Sequence, residues 1–477
     1  MKTYNIVLDK PSVTWVITKG IDSRIDSEYY SSIYLKKQLI EQENPLDYCE
    51  LGSLGKGFSY GTPPYGNMAE QGVPYLRIPN IEDQFFLNDD LAFINEDYHL
   101  KNIRNEVDKG DILFRIKGQL GQAVVVPKRY AGAHTGSSFL KFTPTFIDPY
   151  FLVLYLSSSY GKNQILRKQS NSIIKYLNID DIKSIKVPVP SPEIQKYIGD
   201  KVRRAEELRE EAKRLKKETE DLIINKLGTI NLEENRNYSS AFISSGKIVE
   251  RIDSEYYHSK YLKIEDELNR KGYKVKKLGE VCTRIFNGRT YSTTDKERKY
   301  CNVGVGELGD WFVNKSKEKF INEKVDKKYC LKANSIIWGN AAHLAKYIGE
   351  KVNIVLEEET VIPTTEVTAI EPNEEAIDPY YLFIFMRTQW GYYQIQRTVK
   401  GMTAHSYPQD ISNILVPIID LTNEELEVLK NNVVTSYKNE LNAKQLIQQA
   451  KQDVEDLIEG NFEMSKLNND SSTESRC

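Results

Sequence analysis

The heptapeptide Arg24-Ile-Asp-Ser-Glu-Tyr-Tyr30 returns verbatim as Arg251-Ile-Asp-Ser-Glu-Tyr-Tyr257. This repeat constrains the fold more than any other feature, because one supersecondary plan has to be built twice within 477 residues. The same offset of 227 also aligns Ser32 with Ser259, Tyr34 with Tyr261, Leu35 with Leu262, and Leu51-Gly52 with Leu278-Gly279. Upstream, Trp15-Val16 faces Phe242-Ile243. Further along the offset drifts: Asp148-Pro-Tyr150 answers Asp378-Pro-Tyr380, Asp181-Ile182 answers Asp410-Ile411, and Val187-Pro188 answers Val416-Pro417.

Each repeat reads as a β-rich part followed by one long helix. Short β-branched runs such as Gly72-Val-Pro-Tyr-Leu-Arg-Ile78, Asp111-Ile-Leu-Phe-Arg-Ile116 and Ala123-Val-Val-Val126 are separated by Gly, Pro, Asn and Asp. The first helix is predicted over 191–227, with Ser191 as N-cap, Pro192 at the first helical position and Gly228 just past the end. Ile194, Ile198, Val202, Ala205, Leu208, Ala212, Leu215 and Leu222 form its apolar stripe, mostly in steps of three and four. The second helix, within 421–462, opens with the capping box Thr422-Asn-Glu-Glu425. Its stripe runs Leu426, Leu429, Val433, Tyr437 and resumes, after a slip of phase, at Leu446, Ala450, Val454 and Leu457.

Such a stripe needs a partner helix, and the other repeat supplies one. The expected fold is therefore α+β: two β-rich globular domains in tandem repeat, separated by a pair of long antiparallel coiled-coil helices. The domains are expected at 1–190 and 228–420 (with a linker at 228–250), and 463–477 reads as a disordered tail. A 36-residue helix is about 54 Å long, roughly one and a half turns of duplex DNA. A rod that only dimerises is the alternative.

The chain carries 65 basic and 68 acidic residues, a formal net charge of −3. That excludes a wholesale polyanion binder but leaves room for local basic patches. Five cysteines without a CxxC pair exclude a disulfide framework and a cysteine zinc site. With no apolar run long enough to span a bilayer and no signal core at 1–10, the expected location is cytoplasmic.

Catalytic signatures are missing. His99, His134, His258, His343 and His405 show no metal-ligand spacing. No Walker A loop, HExxH or GxSxG occurs. Gly304-Val-Gly-Glu-Leu-Gly309 spells GxGxxG, but Asp310-Trp-Phe-Val313 after it reads as strand, so a β-turn is expected rather than a dinucleotide site. Asp148-Pro-Tyr-Phe151 and Asp378-Pro-Tyr-Tyr381 lack the second proline of base-flipping methyltransferases and read as helix starts.

What remains is a pattern of basic, amide, aromatic and glycine residues in the loops of each half. Arg, Lys, Gln and Asn reach base edges, Lys and small hydroxyls anchor phosphates, and Gly permits close backbone approach. The DNA-binding candidates are Lys56, Tyr60, Arg77, Arg115, Lys117, Gln119, Lys128 and Arg129 in the first half. In the second they are Asn287, Arg289, Tyr291, Asn340, Lys400 and His405.

Four further segments stand out: Gly72-Val-Pro-Tyr-Leu-Arg-Ile-Pro-Asn-Ile81, Gly110-Asp-Ile-Leu113 with Gly118 and Gly121, Leu177-Asn-Ile-Asp-Asp-Ile182, and Ile185-Lys-Val-Pro-Val-Pro-Ser-Pro-Glu-Ile-Gln-Lys-Tyr-Ile198. Through them the chain resembles the specificity (S) subunit of type I restriction–modification systems. The second copy, Leu415-Val-Pro-Ile-Ile419 into Thr422, lacks the later prolines and the Gln. The resemblance implies a non-catalytic subunit whose two recognition domains read the halves of a bipartite, asymmetric double-stranded DNA target. It also implies that the helices dock two adenine methyltransferase subunits, with Ile194, Ile198, Leu208, Leu215, Leu222, Leu426, Leu429, Val433, Leu446, Val454 and Leu457 as the docking stripe. Motor-nuclease subunits join for restriction. S-adenosylmethionine and ATP/Mg are used by the partners, and this chain binds no cofactor or metal. Lys56/Tyr60 against Arg289/Tyr291 suggests two different half-sites. A methyltransferase with activity of its own, a non-DNA protein scaffold, and a single-stranded nucleic-acid binder are the alternatives.

Overall fold

The computed structural model describes residues 29–82, 85–86, 91–169, 176–230, 243, 248, 251–314, 317, 319–357, 360–401 and 403–470. The first copy of the heptapeptide, apart from Tyr29 and Tyr30, lies outside them, as do most of the linker and 471–477. The chain forms two compact units. One comprises 1–208 and 441–477, the other 209–440, so each holds one half of each long helix.

Both long helices form where the spacing predicts. The first is Pro192–Leu227, ended by Gly228 at φ 72°. The second is Asn423–Glu459, ended by Gly460 at φ 77°. At its start the Glu425 carboxylate accepts from Thr422 N at 2.9 Å and Glu425 N donates to Thr422 Oγ1 at 3.2 Å, which closes the capping box.

The phase slip expected in the second helix does not exist. Leu429, Val433, Ser436, Glu440, Ala443, Ile447, Ala450, Val454 and Leu457 keep steps of four and three throughout. Ser436 is fully buried and donates to Ala212 O at 3.2 Å, and Glu440 takes Lys216 at 2.6 Å. The heptad is intact, but its middle is polar, so hydrophobicity alone hides it.

Within each unit the two helix segments run antiparallel. In the first unit Tyr197 meets Phe462 and Lys201 pairs with Asp453. In the second, Ala212 meets Ser436 and Lys226 pairs with Glu425 at 2.7 Å. The stripe expected to dock other subunits is therefore occupied inside the chain. Ile194, Ile198, Val454 and Leu457 are buried in the first unit's core, with Leu208 and Leu446 packed on it. Leu429 and Val433 are buried in the second core, with Leu222 and Leu426 against it, and Leu215 is 8% exposed. An apolar stripe facing its own partner helix offers nothing to a further subunit, so any docking has to use other faces.

The β-rich parts repeat element by element. In the first unit a four-stranded sheet has the order Gly55–Tyr60, Phe139–Pro144, Ile112–Arg115, Ala123–Val125. In the second it is Cys282–Asn287, Val367–Pro372, Ser335–Gly339, Val352–Val355. A smaller sheet in each unit contains one parallel pair, His134–Thr135 with Val73–Leu76 and Val361–Pro363 with Cys301–Val303.

Asp148 and Asp378 are N-caps, as the sequence predicts. Each side chain accepts backbone N–H groups of the first turn of Pro149–Ser157 or Pro379–Arg387. The next helices, Ser159–Lys168 and Gln389–Thr398, present Gln164 and Gln394 to a strand backbone. Gln164 exchanges two bonds with Lys186, and Gln394 two with Leu415.

The GxGxxG run is a turn: Val305–Glu307 is one 3-10 turn, and instead of the expected strand at 310–313 only a Leu308–Val313 bridge follows. The tail expected to be disordered from 463 contains a helical turn at Ser465–Asp470, where Lys466 pairs with Asp453 at 2.9 Å.

Candidate nucleic-acid interface

Strand register places the candidates. In the first sheet Leu140 faces Tyr60 on one side and Phe114 on the other, and Phe139 faces Arg115. Tyr60, Arg115 and the turn after it thus share one end. Lys117 bridges Tyr176, whose ring is 50% exposed, and Gln119 lies exposed on the same turn. Arg77 follows the parallel strand whose Leu76 O accepts from Gly136 N at 3.1 Å, and Ser138 O accepts from Ile116 N at 2.9 Å. The loop 135–138 therefore joins Arg77 to the Arg115–Lys117 turn.

Lys56, Lys128 and Arg129 are exposed but elsewhere. Lys56 faces Thr143, and Lys128 follows the strand end paired with Ile112, so both lie at the opposite end of the sheet. At about 3.3 Å per residue, Lys56 and Tyr60 are separated by roughly 13 Å.

In the second unit Thr368 faces Asn287 and Trp338, and Val367 faces Gly339. Asn287, Asn340 and the small sheet of Ala341–Ala342 with Ala404–His405 gather at the corresponding end, with Arg289 two residues on. Register makes Tyr60 equivalent to Asn287, Arg115 to Gly339, Lys117 to Ala341 and Tyr176 to His405. Lys56/Tyr60 and Arg289/Tyr291 are accordingly not counterparts; the contrast between halves lies at these other positions.

Two candidates are structural. Asn340 is 2% exposed and donates to Thr365 O and Thr368 Oγ1, both at 3.2 Å. Tyr291 is 7% exposed, and its hydroxyl accepts from Asp326 N at 3.1 Å. Neither is open to a ligand; an Asn or Tyr in a loop motif cannot be told from a core one before the fold is known. Arg115 is committed within its turn, Nε donating to Lys117 O at 2.9 Å and Nη1 to Gln122 Oε1 at 3.0 Å. Burial lowers its pKa. Lys400 pairs with Asp410 at 2.7 Å, which reduces its net charge towards a phosphate. Arg289 is exposed and lies 5.3 Å over the Tyr291 ring. His405 bonds Thr403 O at 2.5 Å and stacks on Tyr407 at 6.3 Å.

Sequence reasoning missed the exposed aromatics at these ends. Tyr176 bridges Lys117, Tyr407 (44% exposed) follows the strand Ala404–His405, and Tyr347 (47% exposed) carries Lys346 over its ring at 5.1 Å. The adjacent Lys346-Tyr347 pair was the available signal.

The strand ends require glycine. A Cβ on Gly61 would lie 2.2 Å from Gly136 O, and one on Gly288 would lie 1.8 Å from Pro363 O. These residues are 227 apart and hold the same backbone crossing in each unit.

Behind the first of these ends lies a hydrogen-bonded chain that histidine spacing concealed. His99 and His134 are 35 residues apart, yet their Nδ1 atoms meet at 3.3 Å. His134 Nε2 reaches Thr62 Oγ1 at 3.2 Å, Asn105 donates to that oxygen at 2.8 Å, and His99 Nε2 reaches Glu106 at 3.0 Å. Only one proton fits between the two Nδ1 atoms. Donation from Asn105 Nδ2 through Thr62, His134 and His99 to Glu106 gives each ring nitrogen a partner without a second proton on either ring. Burial, reinforced by His99, pushes the His134 pKa down to about 4. Among the described residues no group of His, Cys, Asp or Glu is placed to hold a metal ion.

The β-rich fold with its entering long helix defines a class. Residues 47–221 match the type I restriction modification DNA specificity domain, and the resemblance read from the motifs is borne out. A particular relative is the type I restriction enzyme EcoBI specificity subunit of Escherichia coli, 30% identical over 151 residues. That alignment spans 31% of this chain and 31% of the relative. A type I restriction–modification S subunit from M. genitalium matches at TM-score 0.46 and 14% identity, covering 88% of this chain and 97% of its own. The HsdS subunit from Thermoanaerobacter tengcongensis matches at TM-score 0.29 and 14% identity, covering 88% and 98%. No helix among the described residues is long and apolar enough to cross a membrane.

Proposed function

We propose that this chain is the DNA sequence-specificity subunit of a type I restriction–modification complex and not itself an enzyme. The observation that carries the reading is the match of 47–221 to the DNA specificity domain, together with the second unit's repetition of the same sheet orders, N-capped helices and glycine crossings. Each unit reads one half of a bipartite DNA target with the sheet end that carries Tyr60, Arg77, Lys117, Gln119 and Tyr176, or Asn287, Arg289, Lys400, His405 and Tyr407. The equivalent positions bear different side chains, so the half-sites differ. The long helices fix the unread spacer. Two adenine methyltransferase subunits using S-adenosylmethionine, and motor-nuclease subunits using ATP and Mg, supply the chemistry in the cytoplasm.

A methylome tests this. The chain is expressed with the methyltransferase encoded beside it in a host lacking adenine methylation, and modified adenines are mapped. A split motif with a fixed gap, absent without this chain, is expected. No modified adenine in the presence of an active partner refutes the reading in favour of a protein scaffold.

A further inference from the structure

The loops that leave the two glycine crossings differ in length and in what they carry. In the first unit the loop runs from Gly61 to Asn67, whose carbonyl accepts from Asn95 N at 3.0 Å. In the second it runs from Gly288 to Ser292, whose carbonyl accepts from Asn322 N at 2.9 Å. Five residues, 62–66, lie between these points in the first unit and three, 289–291, in the second. The longer loop reads Thr62-Pro-Pro-Tyr-Gly66. Asn67 N donates to Pro64 O at 2.7 Å and closes a turn with Gly66 at φ 68°. Tyr65 stands at its tip, 83% exposed, and its side chain makes no hydrogen bond or ring contact among the described residues.

The root of this loop is bolted down. Thr62 Oγ1 accepts from Asn105 Nδ2 at 2.8 Å and meets His134 Nε2 at 3.2 Å. Thr62 O accepts from the Tyr75 hydroxyl at 3.3 Å, and Pro63 O accepts from the Tyr98 hydroxyl at 2.8 Å. Two prolines remove further backbone freedom. In the second unit Val361 takes the place of His134 in the parallel strand pair. There the backbone is held instead: Arg289 N donates to Pro363 O at 2.8 Å and Arg289 O accepts from Asn302 Nδ2 at 3.0 Å, which leaves the guanidinium outside. The first loop thus presents a ring where the second presents a charge. A tyrosine has few rotatable bonds, so a stiffly held ring loses little entropy on contact, and it can stack on a base or wedge beside one. Glu96 and Asp97 line the same hollow as Asn67 and repel phosphates, which favours bases over the backbone.

We propose that Tyr65 contacts bases of the first half-site and that Thr62, backed by His134 and Asn105, is its positioning residue, with Arg289 the corresponding reader of the second half. This rests on the function proposed above and adds a reading residue to it. The test is methyl transfer by the full chain in complex with the methyltransferase encoded beside it. The substrates are duplexes carrying the mapped split motif, or that motif with one base pair changed in either half. The readout is discrimination, the rate on the intact motif over that on the changed one, which a loss of stability that slows all substrates alike does not move. Tyr65→Ala is expected to lower discrimination roughly tenfold in one half and to leave the other unchanged, and Arg289→Ala to do the reverse. Thr62→Val should follow Tyr65→Ala, and Thr62→Ser, which keeps the hydroxyl, should match wild type. Tyr65→Ala with wild-type discrimination in both halves overturns the assignment, and so does an equal loss in both. Thr62→Val with wild-type discrimination overturns the positioning role. In each of these cases a wild type that methylates the split motif leaves the specificity reading standing. A wild type that methylates no split motif overturns both.

Discussion

Acidification should loosen the first unit at His134, and the size of the effect follows from its surroundings. The ring is fully buried and wedged between His99 and Thr62, and its pKa falls from 6.5 to about 4. Between those values the unfolded chain holds a proton that the folded chain refuses, so stability rises with pH across the window and falls as pH drops through it. Each tenfold difference in proton affinity between the two states is worth about 1.4 kcal/mol, so the loss is about 2 kcal/mol at pH 5 and approaches about 3 kcal/mol near pH 4. Thr62, Asn105 and Glu106 belong to the same chain of bonds, so the loosening should appear in 92–107 and 130–142. Hydrogen exchange by mass spectrometry, corrected for the intrinsic pH dependence of exchange, should show protection there falling roughly 30-fold from pH 7 to pH 5. His134→Gln should start about 1 kcal/mol less stable at pH 7, from lost hydrogen bonds, and show a flatter profile. Parallel profiles for wild type and variant would refute the reasoning.

Four other outcomes are expected. Arg387 is 14% exposed in its side chain and bonds Asp310 (O and Oδ1), Val352 O and Glu220, so Arg387→Ala should destabilise the second unit by about 3 kcal/mol, read as lost exchange protection in 305–314. Asp453→Ala leaves Lys201, 14% exposed, without its carboxylate and should cost about 3 kcal/mol, read as fraying of 192–208 in the same experiment. Burial raises the Glu41 pKa to about 7, against hydrogen bonds from Gln164 and Tyr155, so the folded form gains a proton that the unfolded form lacks between about pH 4.5 and 7. Stability from this group falls as pH rises through that window, and Glu41→Gln should raise Tm more at pH 8 than at pH 5. Gly288→Ala forces a Cβ against Pro363 O and should erase one half of the mapped motif while leaving the other; loss of both halves would show that the effect is not local.

Local signals were legible because their physics is local. Ser191-Pro192 and Gly228 bracket the first helix, Thr422 to Glu425 opens the second, and Asp148 and Asp378 cap theirs, since each depends on residues within one turn of one another. The turn at 304–309 was readable for the same reason. The second helix showed the limit: Ser436 is buried against Ala212 O and the half-exposed Glu440 stands in the stripe because it pairs with Lys216, and no hydropathy pattern reports those partnerships.

That one plan is built twice, that the long helices begin and end where they do, and that 47–221 resembles one class of domain all follow from residues read in order along the chain. Which loop residues face outward does not; folding settles it. Folding buries Asn340 and Tyr291, occupies Arg115 and Lys400 with internal partners, sets Lys56 and Lys128 away from Tyr60, and joins His99 to His134. The heptad stripe closes on the chain's own second helix, as its periodicity requires, and folding thereby turns inward the residues also offered for docking other subunits. The cause is the same in each case. A cap or a turn is fixed by contacts a few residues apart, whereas exposure depends on strands and helices that meet from distant parts of the chain.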